Sequence, residues 1–138
     1  MDRGGLPLFS HVTLGVSDFD RAFAFYVPFC DALGLETSMN GKLLGRRWAS
    51  WRMAGEARPL FAITEPFEGA FVAGNGAMVA FSAPTREAVD RIHAEAIANG
   101  GANEGDRWLR PHYHADYYGA YLRDPDGNKL CVVCHAPE

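Results

Sequence analysis

The feature that most constrains this chain is a repeat of itself. The segment HVTLGVSDFDRAFAFYVPFCDALG begins at His11, and MVAFSAPTREAVDRIHAEAIANGG begins 67 residues later at Met78. Aligned without a gap, Val12 meets Val79, Leu14 meets Phe81, Ala22 meets Val89, Phe25 meets Ile92, Cys30 meets Ile97 and Gly34 meets Gly101. Identity is low, but the order of strand, break, amphipathic helix and glycine is kept. A chain built from two such units has to form two similar halves that share a core.

Alternation assigns the strand faces. Ser10, Val12, Leu14 and Val16 share one face of the first strand, and Phe9, His11, Thr13 and Gly15 share the other. In the second copy Val79 and Phe81 stand opposite Met78, Ala80 and Ser82. The first helix has Ser17 as its expected N-cap, with Asp20 three residues on. Its apolar stripe is Phe19, Ala22, Phe23, Tyr26 and Cys30, and Pro28 predicts a kink or break. The second helix has Val89, Ile92, His93, Ala96 and Ile97 as its stripe and stops at Asn99-Gly100-Gly101. Strand-like runs follow at 35–40, 46–54 and 58–65, and again at 102–109, 117–123 and 129–135. Asp124-Pro125-Asp126-Gly127-Asn128 has turn chemistry between the last two. The order is therefore βαβββ twice.

The fold expected is α+β: one domain over 1–138, with module one at 8–66, module two at 76–135 and a glycine-rich junction at 66–76. Neither half is large enough for a good core alone. With a helix covering one side of each sheet, the modules should form a cupped mixed sheet around a cavity. His11 and Met78 should point into it.

Composition narrows the function classes. A formal net charge of -4 argues against a basic nucleic-acid face. No apolar run approaches the roughly 20 residues that span a bilayer. Gly4, Gly5 and Pro7 interrupt any signal-like core at the N-terminus. Three cysteines without a secretion signal imply reduced thiols and a cytoplasmic protein.

HVTLGVSDFDRAFAFY, MVAF…AVDRIHAEAIANGG and above all YYGAYLRDPDGNKLCVVCH make the chain resemble the vicinal oxygen chelate superfamily, across 8–135. That superfamily holds glyoxalase I, the bleomycin-resistance proteins and the extradiol dioxygenases. The small glyoxalase-like members fit best. The resemblance implies paired βαβββ modules cupping a metal that chelates neighbouring substrate oxygens, commonly in a homodimer. It places ligands on the first and last strand of each module. Carried onto this chain, those positions are His11, Phe61, Met78 and Cys131. Metal-binding relatives carry His where Met78 stands and Glu where Cys131 stands.

A catalytic divalent ion takes imidazole and carboxylate donors, usually three. Only His11 meets that need. The expectation is a glyoxalase/bleomycin-resistance-like protein that binds a small organic molecule at a degraded site, with no metal and no other cofactor. The alternative is a metal-dependent lyase or isomerase resembling lactoylglutathione lyase, or a dioxygenase. His11 would then serve as ligand or general base, assisted by Cys131 or a loop histidine, and His11 and Cys131 are the two metal candidates. A third reading is a soft ion held by His11, Met78 and Cys131. Ligand contacts are expected from Phe61, Met78, Tyr113, His114 and Tyr118, and the partners are a small organic molecule and a second copy, with neither nucleic acid nor membrane.

Other patterns have plainer readings. Cys131-Val132-Val133-Cys134-His135 has the spacing of a haem attachment site, but it lies on a strand, where residues three apart face opposite ways. Asp124, Asp126 and Asn128 begin like a calcium loop, yet Lys129 replaces the required glycine. His112 and His114 in LRPHYHADYY suit a loop at the cavity mouth or a pair of metal donors. Trp48 and Trp51 should face opposite ways, one toward the cavity and one under the helix.

Overall fold

The computed structural model describes residues 1–138. Module one runs β1 (His11–Gly15), α1 (Phe19–Ala32), β2 (Leu35–Leu43), β3 (Arg46–Met53) and β4 (Leu60–Thr64). Module two runs β5 (Val79–Ser82), α2 (Arg86–Ala98), β6 (Ala102–Leu109), β7 (Tyr118–Arg123) and β8 (Lys129–Cys134). The doubled βαβββ order is present.

Local chemistry accounts for the helices, with two corrections. Asp18, not Ser17, caps α1: its carboxylate accepts the Arg21 N–H at 3.2 Å. The Ser17 hydroxyl instead donates to Asp126. Nor does α1 break at Pro28, which is taken into a helix that continues to Ala32. The proline denies a partner to the Ala24 carbonyl, and Ala24 lies on the exposed face, so no orphaned acceptor is sealed in the core. The buried stripe is Phe19, Ala22, Phe25, Tyr26, Phe29 and Cys30. In α2 the Thr85 hydroxyl accepts the Ala88 N–H at 3.0 Å, and Ala88, Val89, Ile92, His93 and Ala96 are buried.

The strands form two four-stranded sheets, ordered β1-β4-β3-β2 and β5-β8-β7-β6. In each, the first strand runs parallel to the last and the other pairs are antiparallel. The sheets are curved and not closed.

The expected α+β fold of two modules is present, each with its own curved mixed sheet. The two sheets share no strand pairing. Each helix covers its own sheet, and α1 touches α2, so the helices lie between the sheets. The Phe61 ring sits 5.1 Å from Phe81, and Phe29 sits 5.4 Å from the same ring. One core cluster of 21 residues draws on both modules. The close approach explains Gly101: a Cβ there would lie 3.0 Å from Phe25 Cε2 and 2.9 Å from the Ala96 carbonyl. The physical reason is area. The helix-side faces hold most of the buried large apolar side chains, and packing them against each other removes much apolar surface from water. The hollow faces of both sheets therefore look outward.

A buried polar knot locks the modules together. Asp124, 3% exposed, accepts the Tyr26 hydroxyl at 2.6 Å from α1. Its carboxylate also takes the N–H groups of Asp126 and Asn128 and the Asn128 side chain, each at 2.9 Å. The Asn128 amide donates to the Gly15 carbonyl at 2.9 Å, and Arg21 pairs with Asp126 at 3.0 Å. The turn at 124–128 is thus a turn, as its chemistry predicts. Its polar groups close the turn on itself and reach Ser17, Arg21, Tyr26 and Gly15 of module one, leaving Asp126 Oδ2 buried without a partner.

Candidate functional site

Register assigns the outward faces. In sheet one, His11 lies beside Leu60, Thr13 beside Ala62 and Gly15 beside Thr64, while Ser50 pairs with Ala62 and Trp48 with Thr64. Their neighbours in sequence, Val12, Leu14, Ala49, Trp51, Phe61 and Ile63, face the helices. Ser50, Ala62 and Thr64 form a floor of small, buried residues. Phe71 of the junction reaches over it, with its ring 3.6 Å from where a Gly15 Cβ would be. His11 stands exposed at the edge, its Nδ1 2.9 Å from Ser10 Oγ. Trp51 is buried and Trp48 faces the other way, the division that alternation predicts.

The outward face of sheet two is richer. Cys131 lies opposite Ala80 on one side and Tyr121 on the other. Tyr117 precedes β7 and curls back over it, placing its hydroxyl 2.9 Å from Tyr121 Oη and 3.6 Å from Cys131 Sγ. Gly119 makes room for this, since a Cβ there would meet the Tyr117 ring at 2.9 Å. The Arg110 guanidinium lies 4.9 Å and the Lys129 ammonium 5.3 Å from the Tyr121 ring. Burial, before any other cause, pushes the Cys131 thiol and the Tyr117 and Tyr121 phenols up from their ordinary values. All three keep their protons at neutral pH. The cluster is a set of neutral hydrogen-bond donors, not a thiolate.

The rim is aromatic. Tyr113, 60% exposed, lies 4.8 Å from the Tyr117 ring and 4.3 Å from His112. His114 Nε2 is 2.8 Å from His135 Nδ1, and the Asp116 N–H donates to His114 Nδ1 at 3.1 Å. An Nδ1 that accepts carries no proton, so His114 donates from Nε2 to His135. This pairing ties the loop to the end of β8.

Two expected ligand contacts are displaced. Phe61 is in the core, 5.3 Å from Tyr26, because it occupies the helix side of β4. The register equivalent of Cys131 is instead Ala62: Ala62 lies opposite Thr13 as Cys131 lies opposite Ala80. Tyr118 faces α2, donating to Asp90 Oδ1 at 2.7 Å beneath Arg86. Met78, 44% exposed, stands just before β5 on the outward side, in a cleft with Arg123 and Lys129. Tyr117, Tyr121 and His135 join the site although the sequence did not single them out as contacts. The one available signal was Gly119 amid three tyrosines.

By strand register, the positions that the resemblance implies for a metal's ligands fall at His11, Ala62, Met78 and Cys131. Ala62 has no donor atom, Met78 offers a soft thioether, and Cys131 is a protonated thiol. His11 stands on one sheet's outer face, and Met78 and Cys131 on the other's. No three His, Cys, Asp or Glu side chains come together in the chain. This donor set does not fit a hard divalent ion.

The family model of the glyoxalase/bleomycin resistance protein/dioxygenase superfamily matches residues 8–132. The chain belongs to this superfamily. A glyoxalase/bleomycin resistance protein from Albidiferax ferrireducens is 35% identical, with a TM-score of 0.79 over 93% of this chain and 99% of that one. A superfamily domain from a Frankia species superposes with a TM-score of 0.72 at 18% identity, covering 96% of this chain and 100% of that one. An antibiotic-binding protein of a Streptomyces species does so at 0.66 and 18%, covering 96% and 98%. No curated protein matches the chain. As a superfamily member it keeps the doubled βαβββ architecture. No helix in it is long and apolar enough to cross a membrane.

Proposed function

We propose that this superfamily member is a small-molecule-binding protein that works without a bound divalent metal, as a homodimer in the cytoplasm. The observation that carries the reading is the cluster of Tyr117, Tyr121 and Cys131: where a catalytic metal takes imidazole and carboxylate donors, this chain sets protonated O–H and S–H groups among aromatic rings. Such a surface suits a planar organic molecule, stacked on Tyr113 and Tyr117 and hydrogen-bonded through its oxygens. That a protein sharing this fold binds an antibiotic is in keeping with the reading.

A second copy is part of the proposal because each outward hollow is half a cup. Met39, Met53, Met78, Trp108 and Leu109 are exposed large apolar side chains. Sheet one of one copy set against sheet two of another would enclose a cavity and bring His11 toward the partner's Cys131. Sedimentation should give the mass of two chains.

The deciding measurement is elemental analysis of protein purified without chelators. Less than a tenth of an equivalent of any transition metal is expected, with ligand binding insensitive to EDTA. About one equivalent, lost together with binding or activity and restored by re-addition, would sink the reading. The double variant Met78→His with Cys131→Glu should gain zinc or nickel affinity by supplying two hard donors. A folded, dimeric double variant that takes up neither ion would show the site to be misplaced.

A further inference from the structure

We infer that the ligand of this face carries an oxyanion, seated on Lys129 in the cleft between the junction segment and the ends of β7 and β8. The inference rests on the reading of the outward face of sheet two as the ligand site, and it names the chemical class of what binds there.

The cleft has a volume of about 560 Å³. Its charged side chains are Arg123 and Lys129, and its opposite wall is Gly74-Asn75-Gly76-Ala77-Met78. What sets this lining apart is that it offers donors and hardly any acceptors of charge. Apart from the Ala77 N–H, which closes the turn at Asn75-Gly76, none of the backbone N–H groups of Gly74–Met78 donates a hydrogen bond within the chain. Lys129 belongs to none of the side-chain ion pairs. Its ammonium is held beside the Tyr121 ring at 5.3 Å. Arg123 is partly spent, with one nitrogen on the Gly127 carbonyl at 2.8 Å and the other 3.1 Å from Glu104. Counting Glu104 against the two cations still leaves one positive charge, and it is the one on Lys129.

Consecutive unpaired N–H groups in a turn, with Gly76 at φ 91°, form the kind of concavity that takes an anion. A free ammonium opposite them supplies the charge-assisted bond. Carboxylate, sulfonate and phosphate share this chemistry. The cleft adjoins the Tyr121–Cys131 face, so an aromatic body on the tyrosines would reach the cleft with an acidic substituent.

Two fluorescent probes that differ by one group test this: 8-anilino-1-naphthalenesulfonate and neutral N-phenyl-1-naphthylamine, each titrated into the full chain. The sulfonate should bind about tenfold tighter, the size of one charge-assisted hydrogen bond. Lys129→Gln should bring it level with the neutral probe, and Lys129→Arg should keep the preference. Equal binding of both probes to the natural chain, or a preference that survives Lys129→Gln, overturns the inference and leaves the ligand-face reading standing. Binding of neither probe overturns both. Inorganic phosphate then separates the sources. Displacement of the sulfonate at millimolar phosphate assigns a free oxyanion, and no displacement assigns a group borne by the organic ligand.

Discussion

Replacing Asp124 by alanine tests the joint that orients both outward faces. The carboxylate accepts the Tyr26 hydroxyl at 2.6 Å and three N–H groups of its own turn at 2.9 Å. The Asp126 N–H lies near the surface and can turn to water. The Tyr26 hydroxyl cannot, since Tyr26 is 0% exposed. One orphaned buried donor costs about 1–3 kcal/mol, and losing a charged acceptor shared by several donors brings the total to about 3–5 kcal/mol. That is a large part of the roughly 5–15 kcal/mol that holds a domain folded. Tyr26→Phe removes one hydrogen bond and leaves the carboxylate with three donors, so it should cost only about 1–1.5 kcal/mol. Urea unfolding followed by far-ultraviolet circular dichroism and by tryptophan fluorescence, dominated in module one by buried Trp51, measures both. The double variant should fall short of additivity by about 1 kcal/mol or more. An Asp124→Ala cost below about 1 kcal/mol, or strict additivity with Tyr26→Phe, would refute the claim that this knot couples the modules.

Two further outcomes follow from the same geometry. Gly119→Ala puts a Cβ 2.9 Å from the Tyr117 ring, so it should cost about 1–3 kcal/mol and uncover Cys131, seen as faster reaction of one thiol with a disulfide reagent. Unchanged thiol reactivity would contradict the placement of Tyr117. Stability should also fall in alkali. Burial holds the Tyr26 phenol and the Cys131 thiol above their unfolded values of about 10 and 8.5, so the folded chain keeps protons that the unfolded chain releases. The contribution is complete below about pH 8 and is lost as pH climbs beyond 8.5 and then 10. The urea midpoint should decline over that range, less steeply above pH 10 in Tyr26→Phe.

Much of the fold is legible along the chain because its signals are local. The strand faces of β1 and β5, the stripe of α2, the turn at 124–128 and the opposed Trp48 and Trp51 all follow from periodicity and turn chemistry. The misplacements are equally instructive. Phe61 was one residue out of register with Cys131, and period-two geometry turns a one-residue slip into the wrong face of the sheet. Tyr118 belongs to an aromatic run whose neighbour Tyr117, outside the strand, bends back to the site instead. Pro28 looked like a break, but where its freed carbonyl points depends on which side of α1 meets the core.

The sequence by itself determined that two βαβββ units exist and which family they resemble. The tertiary structure alone decided how the units sit. Alternation tells which side chains share a face, but it carries no information on which faces of two separate modules meet. That choice is made by total buried apolar area and by contacts between residues about a hundred positions apart, such as Tyr26 with Asp124 and Gly15 with Asn128. It settled the arrangement of the modules, which periodicity leaves open, and a side chain's distance from its functional partner then depends on geometry that no local pattern encodes.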